Sequence, residues 1–137
     1  MLIRTVLVLL FLISGNVSSK GKVYFGMLSY HYDRGSSLNE VHKNIGYESE
    51  NGYFVEYFKN SHRKDTFFIG KFYRDIYKFE NNWSFGTDIG LVKGYNFRGE
   101  SVSVLGFPTV SYSGDDYGVD IRFGYTEVVA VRFFRNF

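Results

Sequence analysis

Between residue 22 and the end of the chain, apolar and polar residues alternate in eight successive runs: 22–33, 40–50, 53–61, 66–76, 83–94, 101–112, 118–125 and 127–137. A period of two puts successive side chains on opposite faces of a strand, so each run carries two distinguishable faces. No helical period of useful length, low-complexity linker or internal repeat interrupts them. Fifteen glycines against one proline, with 20% aromatic residues, suit strands joined by turns. Asn51-Gly52, between the second and third runs, is the signal of a two-residue hairpin. The expectation is an all-β chain with eight antiparallel strands in up-and-down order.

The first 19 residues read differently. "MLIR" is positively charged, "TVLVLLFLI" is a short apolar run and "SGNVSS" is small and polar, the order of a secretory signal peptide cleaved after Ser19. The apolar run is too short to cross a bilayer as a helix, which needs ~20 residues. Residues 20–137 are then one domain. With no cysteine, an exported chain has neither a disulfide framework nor a lipoprotein anchor. A net charge of +2 without a basic run makes nucleic acid an unexpected partner. The three histidines lack metal-ligand spacing, and neither a metal nor a cofactor is expected.

Eight exported strands fit the smallest transmembrane β-barrels, whose strands need ~9–11 residues. A soluble eight-stranded barrel of lipocalin type is the alternative. The faces favour the membrane. Tyr24, Gly26, Leu28, Tyr30 and Tyr32 share one face of the first run; Trp83, Phe85, Thr87, Ile89 and Leu91 share one of the fifth; Val129, Val131, Phe133, Arg135 and Phe137 share one of the last. These faces are almost without charge and carry aromatics toward their ends, as a lipid-facing surface does. Glu56, Lys71, Asp88, Asp120, Arg122 and Arg132 take the opposite, lumen-facing phase. A Lys or Arg on the lipid face near the midplane costs ~2–4 kcal/mol, whereas inside the barrel mixed signs can pair as a lumen-filling network.

An even-stranded barrel that follows a signal peptide keeps both mature termini in the periplasm. The turns at Asn51-Gly52, 77–82 and 113–117 are then periplasmic, and the connections at 34–39, 62–65, 95–100 and around Thr126 extracellular. His31, His42 and His62 meet at the extracellular rim, with Asn60 and Ser61 of "KNSHRKD" beside them. Below the rim Phe58, Phe67, Ile69, Gly90, Val92 and Gly124 are expected to line an apolar cup over a charged middle. Its glycines either leave room for an acyl chain or only relieve crowding. A serine hydroxyl becomes a nucleophile when a base takes its proton and donors hold the oxyanion. Ser61 with one of the histidines supplies the first part, and Asn60 the orientation or the donor. Ser61 falls in the outward phase unless the strand ends or bulges there, and Ser and His at a loop tip are equally explained as solvated loop residues.

"SYHYDRGSSLNEVHKNIGYE", "YFKNS", "IGLVKGYNF" and "VLGFPTVSY", with the aromatic last strand, resemble the PagP-type lipid A palmitoyltransferase barrels and the small PagP-like outer-membrane proteins of bacteria and their phages. The resemblance spans most of the mature chain. It implies a monomeric barrel in the outer membrane of a Gram-negative cell, its partners membrane lipids, acting as an acyltransferase on lipid A or as a phospholipid acyl hydrolase. Ser61 matches the family serine and Asn60 stands where the family has Asp. Aligned on Tyr32-Asp33, the family histidine falls at Met27, so His31 takes the base role only by a shift. The amphipathic N-terminal helix of the enzymes has no counterpart. The expected site is therefore His31 as base, Asn60 as polariser and Ser61 as acyl acceptor or hydrogen-bonding group, above a pocket of Phe58, Phe67, Ile69, Gly90 and Val92. A non-enzymatic barrel that stabilises the envelope or alters surface recognition, for example by phage exclusion, is the second expectation, and a soluble carrier of apolar ligands the third.

Overall fold

The structure, a computed structural model, describes residues 21–31, 41–60, 63–97, 100–124 and 128–137. The strands are β1 (Lys22–His31), β2 (Val41–His42), β3 (Asn44–Glu48), β4 (Tyr53–Lys59), β5 (Asp65–Lys78), β6 (Trp83–Phe97), β7 (Glu100–Ser113), β8 (Tyr117–Phe123) and β9 (Val128–Asn136). From β3 to β9 each strand pairs antiparallel with the next, β3 pairs with β1, and β9 returns to β1 from Lys22↔Asn136 to His31↔Val128. Eight strands thus close into a barrel without a free edge. The extra strand β2 lies beyond β3 along the same side of β1, at Met27↔His42 and Leu28↔Val41. The second run of the sequence is therefore two strands separated at Lys43. The segments 1–19, 32–40, 61–62 and 125–127, which hold the expected signal peptide, Ser61, His62 and most of the loops, lie outside the described residues.

The hairpin at Asn51-Gly52 is present but is one residue longer than a two-residue turn. Ser49 N–H donates to the Tyr53 carbonyl (2.8 Å), Gly52 N–H donates to the Ser49 carbonyl (2.9 Å), and Gly52 sits at φ 88°. This is a three-residue loop closed on a left-handed residue. A Cβ at Gly52 would stand 2.4 Å from the Phe72 carbonyl oxygen, so only glycine fits.

The side chains are distributed inside out. Glu48, Glu56, Asp88, Asp120, Arg122 and Arg132 are buried in the lumen, while Leu28, Val55, Ile69, Ile89, Leu91 and Val104 are exposed on the outer wall. Toward the end that carries the Asn51-Gly52 turn, hereafter the turn end, the outer wall becomes aromatic. Phe25 meets Tyr117 edge-on and stacks on Phe133, and Trp83 packs between Phe79 and Tyr112. At the opposite, loop end Tyr57 and Phe67 tilt together with centroids 5.3 Å apart. An aliphatic belt between aromatic rims around a polar interior makes the fold compatible with a membrane.

Two expected phases are corrected. In β5 the lumen-facing residues are Thr66, Phe68, Phe72 and Arg74. Phe67 (48% exposed), Ile69 (58% exposed) and Lys71 stand on the outer wall instead. The register decides this: Thr66 lies opposite Phe58 and Phe68 opposite Glu56, and directly paired residues share a face. The Lys71 ammonium lies over the rings of Tyr53 (4.9 Å) and Tyr73 (5.3 Å), held by aromatic faces where the sequence pattern had placed it among lumenal charges. In β1, Tyr24 pairs with Phe134 but Gly26 with Phe133, so Phe25 is an extra, bulged residue. The bulge turns Tyr24 into the lumen, fully buried, while Leu28 and Tyr30 keep the expected outer face.

Candidate functional site

The lumen is built in three levels. At the turn end and middle, seven ionised side chains alternate in sign through one connected chain. Arg74 donates to both oxygens of Glu48 (2.7 Å each) and to Asp120 (2.8 and 3.0 Å). Arg132 joins Asp120 (2.6 Å) to Glu56 (2.8 Å), and Arg122 joins Glu56 (3.0 Å) to Asp88 (2.5 Å). Ser111 donates to Asp120 (2.7 Å), Asn44 to Glu56 (2.5 Å), and the Tyr24 hydroxyl to Glu48. The Arg132 guanidinium lies 3.6 Å from the Tyr24 ring centroid and that of Arg74 3.9 Å from Phe72. Asp88 ends the chain, and its Oδ1 has no protein partner among the described residues. Glu56, Asp88, Asp120, Arg122 and Arg132 are thus the inward charges expected; Arg74 was missed, because the phase error in β5 put Lys71 in its place.

Above this floor the lining is largely apolar, with Asn44 and Thr66 beside Phe58 and Ser103 beside Val92. Met27, Phe58, Phe68 and Val92 are buried, and Leu105, Phe107 and Ala130 pack against them. Phe68 meets Phe107 edge-on at 5.7 Å. Phe58 and Val92 face the lumen as expected; Phe67 and Ile69 do not, and Phe68 occupies the place assigned to them. Gly90 lies opposite Gly70, but it does not open space: a Cβ there would be 2.2 Å from the Ile69 carbonyl oxygen and 2.8 Å from the Gly70 Cα. The two glycines let the backbones of β5 and β6 approach closely, so the expectation that Gly90 makes room for an acyl chain is replaced by a packing role. A Cβ on Gly124 would meet the side chain of Val128, at 2.2 Å from its Cγ1, so this glycine leaves room for a neighbouring side chain and not for an acyl chain.

At the loop end the polar groups regroup. Ser29 and His31 follow the bulge on the inward face of β1, and His42 is buried opposite them on β2. Ser29 Oγ is 2.6 Å from His42 Nε2, and His42 Nδ1 is 2.5 Å from the Lys59 carbonyl oxygen. The His42 ring packs edge-on against Phe58 with centroids 6.4 Å apart. A carbonyl can only accept, so Nδ1 carries the proton and the neutral ring presents its Nε2 lone pair to the Ser29 hydroxyl. Asn60, fully buried at the end of β4, is committed elsewhere: its Nδ2 donates to the Gly94 carbonyl (3.0 Å) and its Oδ1 accepts from Lys64 N–H (3.1 Å). It fastens the turn to β6, where Gly94 at φ 122° is crowded by Asp65 and Thr66. The expected combination of His31, Asn60 and Ser61 includes Ser61, which lies outside the described residues. The described residues assemble Ser29, His42 and the Lys59 carbonyl. His42 was among the rim histidines read from the sequence, whereas Ser29 was not singled out. The signal available was that Ser29 and His31 share one face of the first run.

Among the described residues no three His, Asp or Glu are grouped to hold a metal ion. No family model matches the chain, and no curated protein is similar to it.

Proposed function

We propose that the chain is an outer-membrane β-barrel that admits the acyl chain of an outer-leaflet lipid into the loop-end half of its lumen and acts on that lipid by acyl transfer or hydrolysis. One observation supports the reading above others: the wall is apolar outside, and above the ionic chain the lumen is lined mainly by Met27, Phe58, Phe68 and Val92, with Ser29 and His42 toward its mouth. Such a lumen suits an acyl chain entering from the outer leaflet, with its ester left at the polar rim. The resemblance to PagP-like barrels points the same way. In this reading the signal peptide directs export, the turn end faces the periplasm, and the protein acts as a monomer.

Mass spectrometry of lipid A and phospholipids from Gram-negative cells with and without the chain tests the proposal. The expected result is a lipid A species heavier by one acyl group, or lysophospholipid, in cells whose outer-membrane fraction contains the heat-modifiable barrel. Unchanged lipids in such cells would overturn the enzymatic reading. The commitment of Asn60 to the turn and the closed approach at Gly90 favour, in that case, a non-enzymatic barrel acting in envelope stability or surface recognition.

A further inference from the structure

We infer that Ser29 and His42 are the nucleophile and general base of an acyl-transfer site, with the Lys59 carbonyl holding the imidazole in its working tautomer; this rests on the lipid-acyl reading above. Three features carry it. The Lys59 carbonyl can only accept, so His42 Nδ1 carries a proton, and in the neutral ring Nε2 is left to accept from Ser29 Oγ–H. That is the arrangement of nucleophile, base and orienting group that activates a serine, with a backbone carbonyl in the third place. Further, the imidazole is buried and braced by Phe58, so its orientation does not depend on solvent. The pair also stands directly over the apolar lining, since Met27 is paired with His42 and lies on the same inward face as Ser29. Met27, Phe58 and Phe68 are packed together and buried, so an acyl chain would displace part of this packing to bring its carbonyl to the level of the Ser29 hydroxyl.

The chemistry balances without a further reagent. Ser29 Oγ attacks the ester carbonyl carbon as its proton passes to His42 Nε2. The ester C–O bond breaks, and the proton goes from His42 to the departing alcohol oxygen of the lipid. A hydroxyl, from water or from an acceptor sugar, then attacks the acyl-serine; His42 takes its proton and returns it to Ser29 Oγ. The product is a fatty acid or a transferred acyl chain, according to which hydroxyl enters.

A long-chain alkyl fluorophosphonate, which phosphonylates activated serines, tests the inference on the folded barrel in detergent micelles. Peptide mapping by mass spectrometry is expected to find the adduct on Ser29. Ser29→Ala should abolish it, and His42→Gln should slow its formation by about 10²–10⁴-fold, the range lost with a general base. Both variants should remain heat-modifiable. Absence of an adduct from a folded wild-type barrel, under conditions that label a serine hydrolase, would overturn the inference; so would an adduct on Ser61 or an undiminished rate in His42→Gln. Phospholipid retained by the Ser29→Ala barrel, weighed by native mass spectrometry, separates the two levels. Retention with no labelling of the wild-type barrel leaves acyl binding in place and removes the serine chemistry, while no retention in either protein overturns the binding reading itself.

Discussion

Arg132 has no contact with solvent and sits where three strands' worth of charge converge: β9 supplies it, β8 supplies Asp120 and β4 supplies Glu56. A buried guanidinium is tolerated only when its donors are used, and here Nε, Nη1 and Nη2 all reach carboxylates while the plane covers the Tyr24 ring. Removing it leaves Asp120 with Arg74 and Ser111, and Glu56 with Arg122 and Asn44, but takes one positive charge from a chain in which signs alternate. Arg132→Met should therefore lower stability by about 3–5 kcal/mol, the usual consequence of breaking a buried pair from one side, read as a shift of the urea unfolding midpoint of the barrel in lipid vesicles. Lys78→Ala, which deletes only the exposed contact with Asp75 (3.6 Å), should leave that midpoint where it is. Equal effects from the two would show that the lumenal chain of charges does not hold the barrel together.

Strands β5 and β6 are the longest pair to meet through glycines, at Gly70↔Gly90. Gly90→Ala places a methyl group against the Ile69 backbone, which cannot swing aside as a side chain would, so the two strands must separate locally. Gly106→Ala on the neighbouring β7 meets its nearest atom, the Asp88 carbonyl oxygen, at 3.3 Å and asks for a shift of only a few tenths of an ångström. The expected outcome is a marked loss of heat-modifiable, folded protein for Gly90→Ala and little for Gly106→Ala; the reverse order would refute the close-approach role. These elements also show what could be read in advance. The eight strands of the barrel and their antiparallel order were legible because most runs are bracketed by turn residues and alternate; the break at Lys43 that makes a ninth strand and the extension of β6 to Phe97 were not. The phase of "TFFIGKF" was not, because aromatic or aliphatic residues occupy both of its faces and only pairing with β4 chooses between them. The bulge at Phe25 carried no mark beyond the glycine after it. The meeting of Ser29 with His42 depends on the register between β1 and β2, which no local spacing encodes.

On the scale of the molecule, the turn end and the loop end have opposite chemistry, and the proposed orientation gives each a side of the membrane. A protease site inserted at Arg63-Lys64 should be cut on intact cells, while sites at Asn51-Gly52 and Asp115-Asp116 should be cut only after the envelope is permeabilised. Cleavage in the opposite pattern would invert the barrel and put the Ser29–His42 mouth in the periplasm. The closing seam between β1 and β9 has a kinetic meaning as well. It joins Lys22 to Asn136, nearly the two ends of the described chain, so its hydrogen bonds link the segments most distant in sequence of any strand pair in the barrel. Pairing of such distant segments is intrinsically slow, and in a lipid phase each backbone group left open along β1 would go unsatisfied at a cost of several kcal/mol. In the proposed membrane setting, insertion and closure would then be nearly one event, because a barrel still open along β1 would hold unsatisfied backbone groups in the bilayer.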